Sequence, residues 1–234
     1  MKTHHKKSER FVSRVFEDVF DNYDLMNDLM SLGVHRLWKK QFIGWLNPQV
    51  KTKLLDVASG TGDIAKLYLE KINYDGHAYC VDENNGMLKL NKRKLNQSVN
   101  VKWFCDNAEE LKFKDNYFDY YTISFGIRNV NNINNALREA YRVLKPGGRF
   151  ICLEFSKVEN EILSGIYKNY SKIIPLIGKY IMGDSMPYKY LIESIDQFYN
   201  QNELLKIINN VGFSNVEYRN LSGGISAIHS GWKI

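Results

Sequence analysis

The spacing of apolar and polar positions changes period several times along the chain, and each change marks an element. Over residues 11–23, Val12, Val15, Phe16, Val19, Phe20 and Tyr23 recur three and four apart, as one face of a helix requires. Residues 23–46 are also helical and dense in Met, Trp and aromatic side chains, yet carry Asp24, Asn27, His35 and Arg36, which need polar partners if they face inward. From residue 53 short apolar runs alternate with helical stretches. The runs predict strands at 53–58, 76–81, 101–105, 120–124 and 149–154, with helices at 63–71, 84–95 and 132–144 between them. Strict alternation of this kind predicts a parallel α/β sheet with right-handed crossovers.

The alternation then breaks. Residues 162–182 place Ile166, Tyr170, Ile173, Ile174, Ile177 and Ile181 along one side and Lys168, Lys172 and Lys179 elsewhere, with interruptions expected at Pro175 and Gly178. This is where a lid fits. Asn200 followed by Glu203 predicts a capped helix ending at Gly212, and strands at 216–218 and 225–229 close the sheet, the last one antiparallel. The expected architecture is a doubly wound, seven-stranded, mostly parallel sheet with an N-terminal helical cover (11–50) and a helical insertion (157–199) before the last strands. Residues 1–10 are expected to be a loose basic tail before a single domain at 11–234.

Composition adds little to this and excludes some classes. The 234 residues, 44% hydrophobic and 25% charged, suffice for a full core in one domain. The net charge of +6 suits an anionic neighbour, nucleic acid or a membrane surface, and equally a solvated lysine-rich face. Cys80, Cys105 and Cys152 lie in strand-like runs without a C-x-x-C, and read as reduced core residues of an intracellular protein. No apolar run approaches the roughly 20 residues of a spanning helix, so neither a membrane span nor a secretory signal is expected.

The candidate chemistry gathers at the strand ends. In LLDVASGTGDIA, Leu54 and Leu55 lead Asp56 to the end of the first strand, and Gly60 and Gly62 turn the backbone into a helix beginning near Asp63. Such a turn brings a ligand against bare backbone and aims N–H groups at it. Residues 60–65 also fit the G-x-G-x-x-A dinucleotide pattern, so the other strand ends must decide the ligand. Asp82, 20 residues past Gly62, is placed to accept both hydroxyls of a ribose, which NAD and S-adenosylmethionine share. Asp56 separates the two, because a carboxylate there repels a pyrophosphate and attracts a methionyl ammonium. Asp106, Asn107 and Ala108 supply donors and acceptors for an adenine edge. A cationic ligand among acids favours S-adenosylmethionine, with no metal.

The segment after the fourth strand narrows the substrate. Enzymes that methylate nucleobase amines resemble one another in an Asn/Asp-Pro-Pro-Tyr/Phe corner, and here the sequence is Ser124-Phe125-Gly126. Methylation of pyrimidine C5 uses a cysteine in a Pro-Cys context, which none of the three has. A nucleic-acid methyltransferase is therefore a rival that the charge alone motivates. A non-catalytic scaffold is a second, and it has no need of Asp56, Gly60, Gly62 and Asp82.

Two segments carry a closer likeness. Tyr23-Asp24-Leu25-Met26-Asn27, continuing through Ser31 to His35 and Trp38, matches a Y-D-x-M-N, S-x-x-x-H-x-x-W signature, and residues 142–150, RVLKPGGRF, lead to Leu153-Glu154-Phe155-Ser156. With ISFGIRNV at 123–130 and the closing His229 to Lys233, the chain resembles the ubiquinone/menaquinone biosynthesis C-methyltransferase family from about residue 11 onward. Ala58 and Ser59 depart from it, standing where many methyltransferases have glycine, and Glu83-Asn84-Asn85-Gly86 is a polar variant after the ribose acid.

The resemblance implies a Rossmann-like class I methyltransferase with cofactor contacts at Thr61, Asp82, Asn107, Ala108 and Ser124. It implies a polyprenyl quinol methylated on ring carbon, a cytoplasmic or organelle-matrix enzyme, and peripheral membrane contact. A homodimer or a quinone-synthesis complex is left open, and no nucleic acid is expected. Carbon becomes nucleophilic only if an adjacent phenol gives up most of its proton. Arg128 is the candidate to stabilise that phenolate, against an ion pair tying its loop to the sheet. Asp24, His35 or a bound water would take the proton, with a packed or capping histidine as the other reading of His35. Tyr23, Asn27, Trp38 and Asn129 are expected on the substrate side, and Ser31 as either a helix cap or a ligand group. The segment 162–182 is expected to serve as lid, dimer contact or membrane surface.

Overall fold

The computed structural model describes residues 28–31, 33–84, 100–159, 161–182 and 185–234. The predicted helices at 11–23 and 84–95 and the basic tail lie outside them, as do Tyr23, Asp24 and Asn27. The described helices are α1 (His35–Leu46), α2 (Asp63–Lys71), α3 (Ile133–Val143), α4 (Glu161–Met182), α5 (Met186–Gln197) and α6 (Gln201–Val211). The strands are β1 (Thr52–Val57), β2 (Gly76–Asp82), β3 (Val101–Cys105), β4 (Phe118–Ser124), β5 (Leu144–Phe155), β6 (Ser214–Leu221) and β7 (Ser226–Trp232).

They form one seven-stranded sheet in the order β3-β2-β1-β4-β5-β7-β6, with β7 antiparallel to both neighbours. The order reverses between β1 and β4, and in such sheets the ligand crevice opens outside the carboxyl ends at that point. Alternation along β1 assigns the faces. Leu54 packs with α1 and α2, while Leu55 and Val57 pack with α3 and α6. Asp56 shares the parity of Leu54 and therefore faces α1.

Several capping and turn residues act as the sequence implies. Asn200 and Glu203 form a reciprocal capping box on α6, Gly212 ends it at φ 117°, and Asn132 caps α3. The RVLKPGG segment is a scaffold. Arg142 binds the Leu111 and Phe113 carbonyls (2.7 and 2.8 Å), and Lys145 binds Asp119 (2.6 Å). At the chain end, Lys233 donates to the carbonyls of Tyr141 and Leu144 (both 2.8 Å). His229 is buried with Nε2 on Gln201 O (2.9 Å), and burial pushes its pKa down to about 4.

Three expectations are corrected. Helix α4 runs unbroken through Pro175, because the residues facing the core, such as Ile174, hold it by packing despite the lost N–H. Strand β5 starts at Leu144, so Lys145-Pro146-Gly147-Gly148 belongs to the strand, not to a stop before it. Cys105 is exposed, unlike Cys80 and Cys152, because it closes an edge strand that has a neighbour on one side only.

Candidate active site

The backbone after β1 makes the centre of the site. Ala58, Gly60 and Gly62 all take left-handed conformations (φ 51°, 50° and 79°). Two are glycines, but Ala58 bears a Cβ in a region that costs about 1–2 kcal/mol for an L-residue. Gly126 faces it: a Cβ added there would lie 2.3 Å from Ala58 Cβ. The missing side chain at 126 thus lets the loop after β4 close against the turn. The turn is fixed from both sides, since Ser59 N–H donates to Val81 O (3.0 Å) and Gly60 N–H to Asp82 Oδ2 (2.9 Å).

Between the ends of β1 and β4 lies a shallow cleft open to solvent, whose walls include Asp56, Gly60, Thr61, Ser124, Phe125 and Lys39. Asp56 and Thr122 are paired across β1 and β4, and Thr122 Oγ1 donates to Asp56 Oδ1 (2.8 Å). Asp56 Oδ2 and Ser124 Oγ are buried and meet no hydrogen-bond partner among the described residues. Buried polar atoms without partners are costly, so these two call for a polar ligand. Burial raises the Asp56 pKa to about 7 against the opposing Thr122 bond and the nearby Lys39 charge. A carboxylate poised there gains most from a cation, and a methionyl ammonium meets that requirement.

The remaining expected cofactor residues follow along the carboxyl edge in strand order. Asp82 ends β2, with Oδ1 accepting from Asn84 N–H (2.9 Å) and burial raising its pKa. Past β3, Asp106 accepts from the N–H groups of Asn107 (3.1 Å) and Lys112 (2.8 Å), and Asn107 Oδ1 accepts from Glu109 N–H (2.6 Å). Asp106 therefore shapes its own loop, while buried Ala108 keeps the loop close to the sheet. Gly62 is the N-cap of α2 and lends no side chain.

The sequence model of the ubiE/COQ5 methyltransferase family matches residues 2–233. The chain belongs to this family. It is 52% identical, over all of its length and 96% of the relative, to the ubiquinone/menaquinone biosynthesis C-methyltransferase UbiE of Rickettsia akari (strain Hartford). It is 49% identical to the UbiE of Bartonella tribocorum (strain CIP 105476 / IBS 506), over 97% of this chain and 90% of that one. Among solved structures, a SAM-dependent methyltransferase of Thermotoga maritima, a possible histamine N-methyltransferase, shares the fold with TM-score 0.69 and 20% identity, covering 94% of this chain and 99% of that one. Phosphoethanolamine N-methyltransferase 2 of Haemonchus contortus, solved with S-adenosyl-L-methionine, gives TM-score 0.66 at 15% identity, over 93% and 60%. The chain is an S-adenosylmethionine-dependent C-methyltransferase, and the unpartnered Asp56 and Ser124 atoms fit that cofactor.

Of the residues expected on the substrate side, Arg128 takes the ion-pair arrangement. Its side chain is 1% exposed, Nη1 reaches Glu154 Oε1 and Phe125 O (both 2.7 Å), and Nε donates to Ser194 Oγ (3.4 Å). The held carbonyl belongs to Phe125, itself left-handed at φ 56°. Arg128 and Glu154 thus clamp a strained residue that lines the cleft. Asn129 is likewise tied, accepting from Tyr190 OH (3.1 Å). Trp38 backs the cleft without lining it, its indole N–H on Ser222 Oγ (3.0 Å) and its ring 6.4 Å from Phe125 and 6.1 Å from Phe155.

His35 is 1% exposed, with Nε2 on Asp28 Oδ1 (2.9 Å), while Arg36 also binds Asp28. Burial and the nearby Lys39 charge lower its pKa, which favours the neutral ring. Because a carboxylate only accepts, Nε2 carries the proton and Nδ1 keeps its lone pair, which has no partner among the described residues. Ser31 Oγ accepts from the N–H of His35, the first residue of α1 (3.2 Å), while Val34 holds the N-cap position. The sequence alone assigned no role to Lys39 and marked Glu154 only as a strand-end residue within a family motif. Lys39 sits four residues past His35 on the same face, which was the available signal; among 32 Lys and Arg it otherwise reads as solvated.

Proposed function

We propose that the chain methylates a ring carbon of a polyprenyl quinol in quinone biosynthesis, with 2-methoxy-6-polyprenyl-1,4-benzoquinol, demethylmenaquinol or both as substrate. The observation that carries this reading is the cleft at the β1/β4 switch point, which sets the unpartnered Asp56 carboxylate beside an aromatic wall, in a chain about half identical to enzymes named for that reaction. S-adenosylmethionine supplies an electrophilic methyl group. Asp56 takes its ammonium, the glycine turn its backbone contacts and Asp82 its ribose. Phe125, backed by Trp38 and Phe155, keeps water from the methyl and offers a flat apolar surface to a ring.

For the substrate proton the candidate among the described residues is His35, with a bound water as the alternative. Asp28 holds it in the tautomer with a bare Nδ1 and stabilises the imidazolium that forms. Arg128 acts as a positioning residue through Phe125.

The substrate's tail implies contact with a bilayer surface, and α4 supports this. Ile166, Ile173, Leu176 and Tyr180 are 62%, 51%, 68% and 93% exposed and fall on one helical face. No described helix is long and apolar enough to cross a membrane. The deciding experiment is the quinone profile of a strain that relies on this chain for ring methylation. Restored ubiquinone, menaquinone or both names the substrate, and accumulation of both unmethylated precursors refutes the reading. Flotation with liposomes of about 30% anionic lipid tests the surface, and an α4 variant with Ile173 and Leu176 changed to Ser is expected to stay at the bottom of the gradient.

A further inference from the structure

Helix α1 delivers one charged group to the cofactor cleft that no backbone motif accounts for. Lys39 lines the cleft with Asp56, Gly60, Thr61 and Ser124, and its side chain is 9% exposed. Lysine is almost never this buried without a reason, and the fold supplies only part of one. Lys39 Nζ donates to Asp63 Oδ2 (2.7 Å), but Asp63 is 42% exposed at the start of α2 and has water available. The Asp63 carboxylate takes one of the three N–H donors of the ammonium. The ammonium also has two further N–H donors, in a cleft that it shares with Asp56, the glycine turn and Ser124.

The opposite sign stands across the same cleft. Asp56 faces α1 by strand parity, and its Oδ2 is buried without a partner among the described residues. A carboxyl group and an ammonium lining one cleft are complementary to an α-amino acid zwitterion.

We propose that Lys39 is a cofactor-binding residue whose ammonium takes the carboxylate of the methionyl end of S-adenosylmethionine, opposite the ammonium taken by Asp56. This rests on the cofactor site described above. It explains why an N-terminal cover helix, and not the sheet alone, is needed to form that site. It also predicts that the site discriminates against a ligand lacking the carboxylate, since the further N–H donors of Lys39 would then gain no acceptor from the ligand.

The probe is decarboxylated S-adenosylmethionine, which keeps the adenosine, the sulfonium and the amine. By calorimetry the folded protein is expected to bind S-adenosylmethionine about 10- to 100-fold more tightly than the decarboxylated form, the range of one charge-assisted hydrogen bond. Lys39→Met keeps the buried stem and is expected to lose that ratio, binding both ligands with similar affinity. Lys39→Arg is expected to retain part of it, and Asp63→Asn all of it. Failure of the unaltered protein to bind S-adenosylmethionine would sink the cofactor site itself. Binding without discrimination, a ratio that survives Lys39→Met, or a ratio lost equally in Asp63→Asn would overturn the Lys39 assignment alone. Should Lys39→Met not fold, the ratio in the unaltered protein, in Lys39→Arg and in Asp63→Asn still decides.

Discussion

Changing Asp56 to Asn should make the ligand-free protein more stable and deprive it of its cofactor. The free carboxyl is buried, and its pKa rises from 3.8 to about 7 with desolvation as the main cause. In the unfolded chain the same group ionises near its ordinary value. Below about pH 4 both states are protonated and Asp56 costs nothing. Between pH 4 and 7 the folded state holds a proton that the unfolded state has released, so stability falls as pH rises. Above about 7 the loss is complete, and the difference in pKa corresponds to about 4 kcal/mol at most. Asn keeps an acceptor for Thr122 Oγ1 and carries no charge. Urea denaturation from pH 4 to 9 should therefore show the two proteins alike at pH 4 and Asp56→Asn increasingly the more stable toward pH 8. Calorimetry at pH 8 should show its S-adenosylmethionine affinity reduced by 10-fold or more. Saturating cofactor should reverse the order of stability, because ligand binding stabilises only the protein that binds it. An Asp56→Asn protein less stable at every pH, or one that binds the cofactor normally, would refute the reasoning.

Arg128→Met strands the buried Glu154 charge and is expected to cost about 3–5 kcal/mol, whereas Arg128→Met with Glu154→Leu should recover most of it in urea melts. If that double variant regains stability, the cost was the unpaired Glu154 charge; if it stays as unstable as the single and binds cofactor poorly, the Phe125 carbonyl bond is the clamp. Gly126→Ala forces a Cβ onto Ala58 and should lower both Tm and cofactor affinity. Adding Ala58→Gly should restore them, and additive effects of the two changes would show no contact. His35→Asn should lower kcat about 10²- to 10⁴-fold with cofactor affinity within a few-fold, since only proton transfer is removed. Loss of cofactor binding instead would assign His35 to the structure of α1.

The sequence by itself determined the alternating α/β pattern and the residues at the carboxyl ends of the strands. Period changes in polarity are local, and chain order fixes which residues end each strand, so Asp56, the glycine turn, Asp82 and Ser124 were legible before any coordinates. The capping box at Asn200 and Glu203 was legible for the same reason, because it is written within four residues. Tertiary structure decided the rest. Arg128 could not be told from a catalytic guanidinium in the sequence, because its partner Glu154 lies 26 residues away on a neighbouring strand. Lys39 could not be told from a solvated lysine, because burial is set by how α1 crosses the β1 and β4 ends. The unbroken path of α4 through Pro175 was likewise settled by the core that holds it. Local pattern fixes which elements form and what stands at their ends; long-range packing fixes which charges meet and which are left for a ligand.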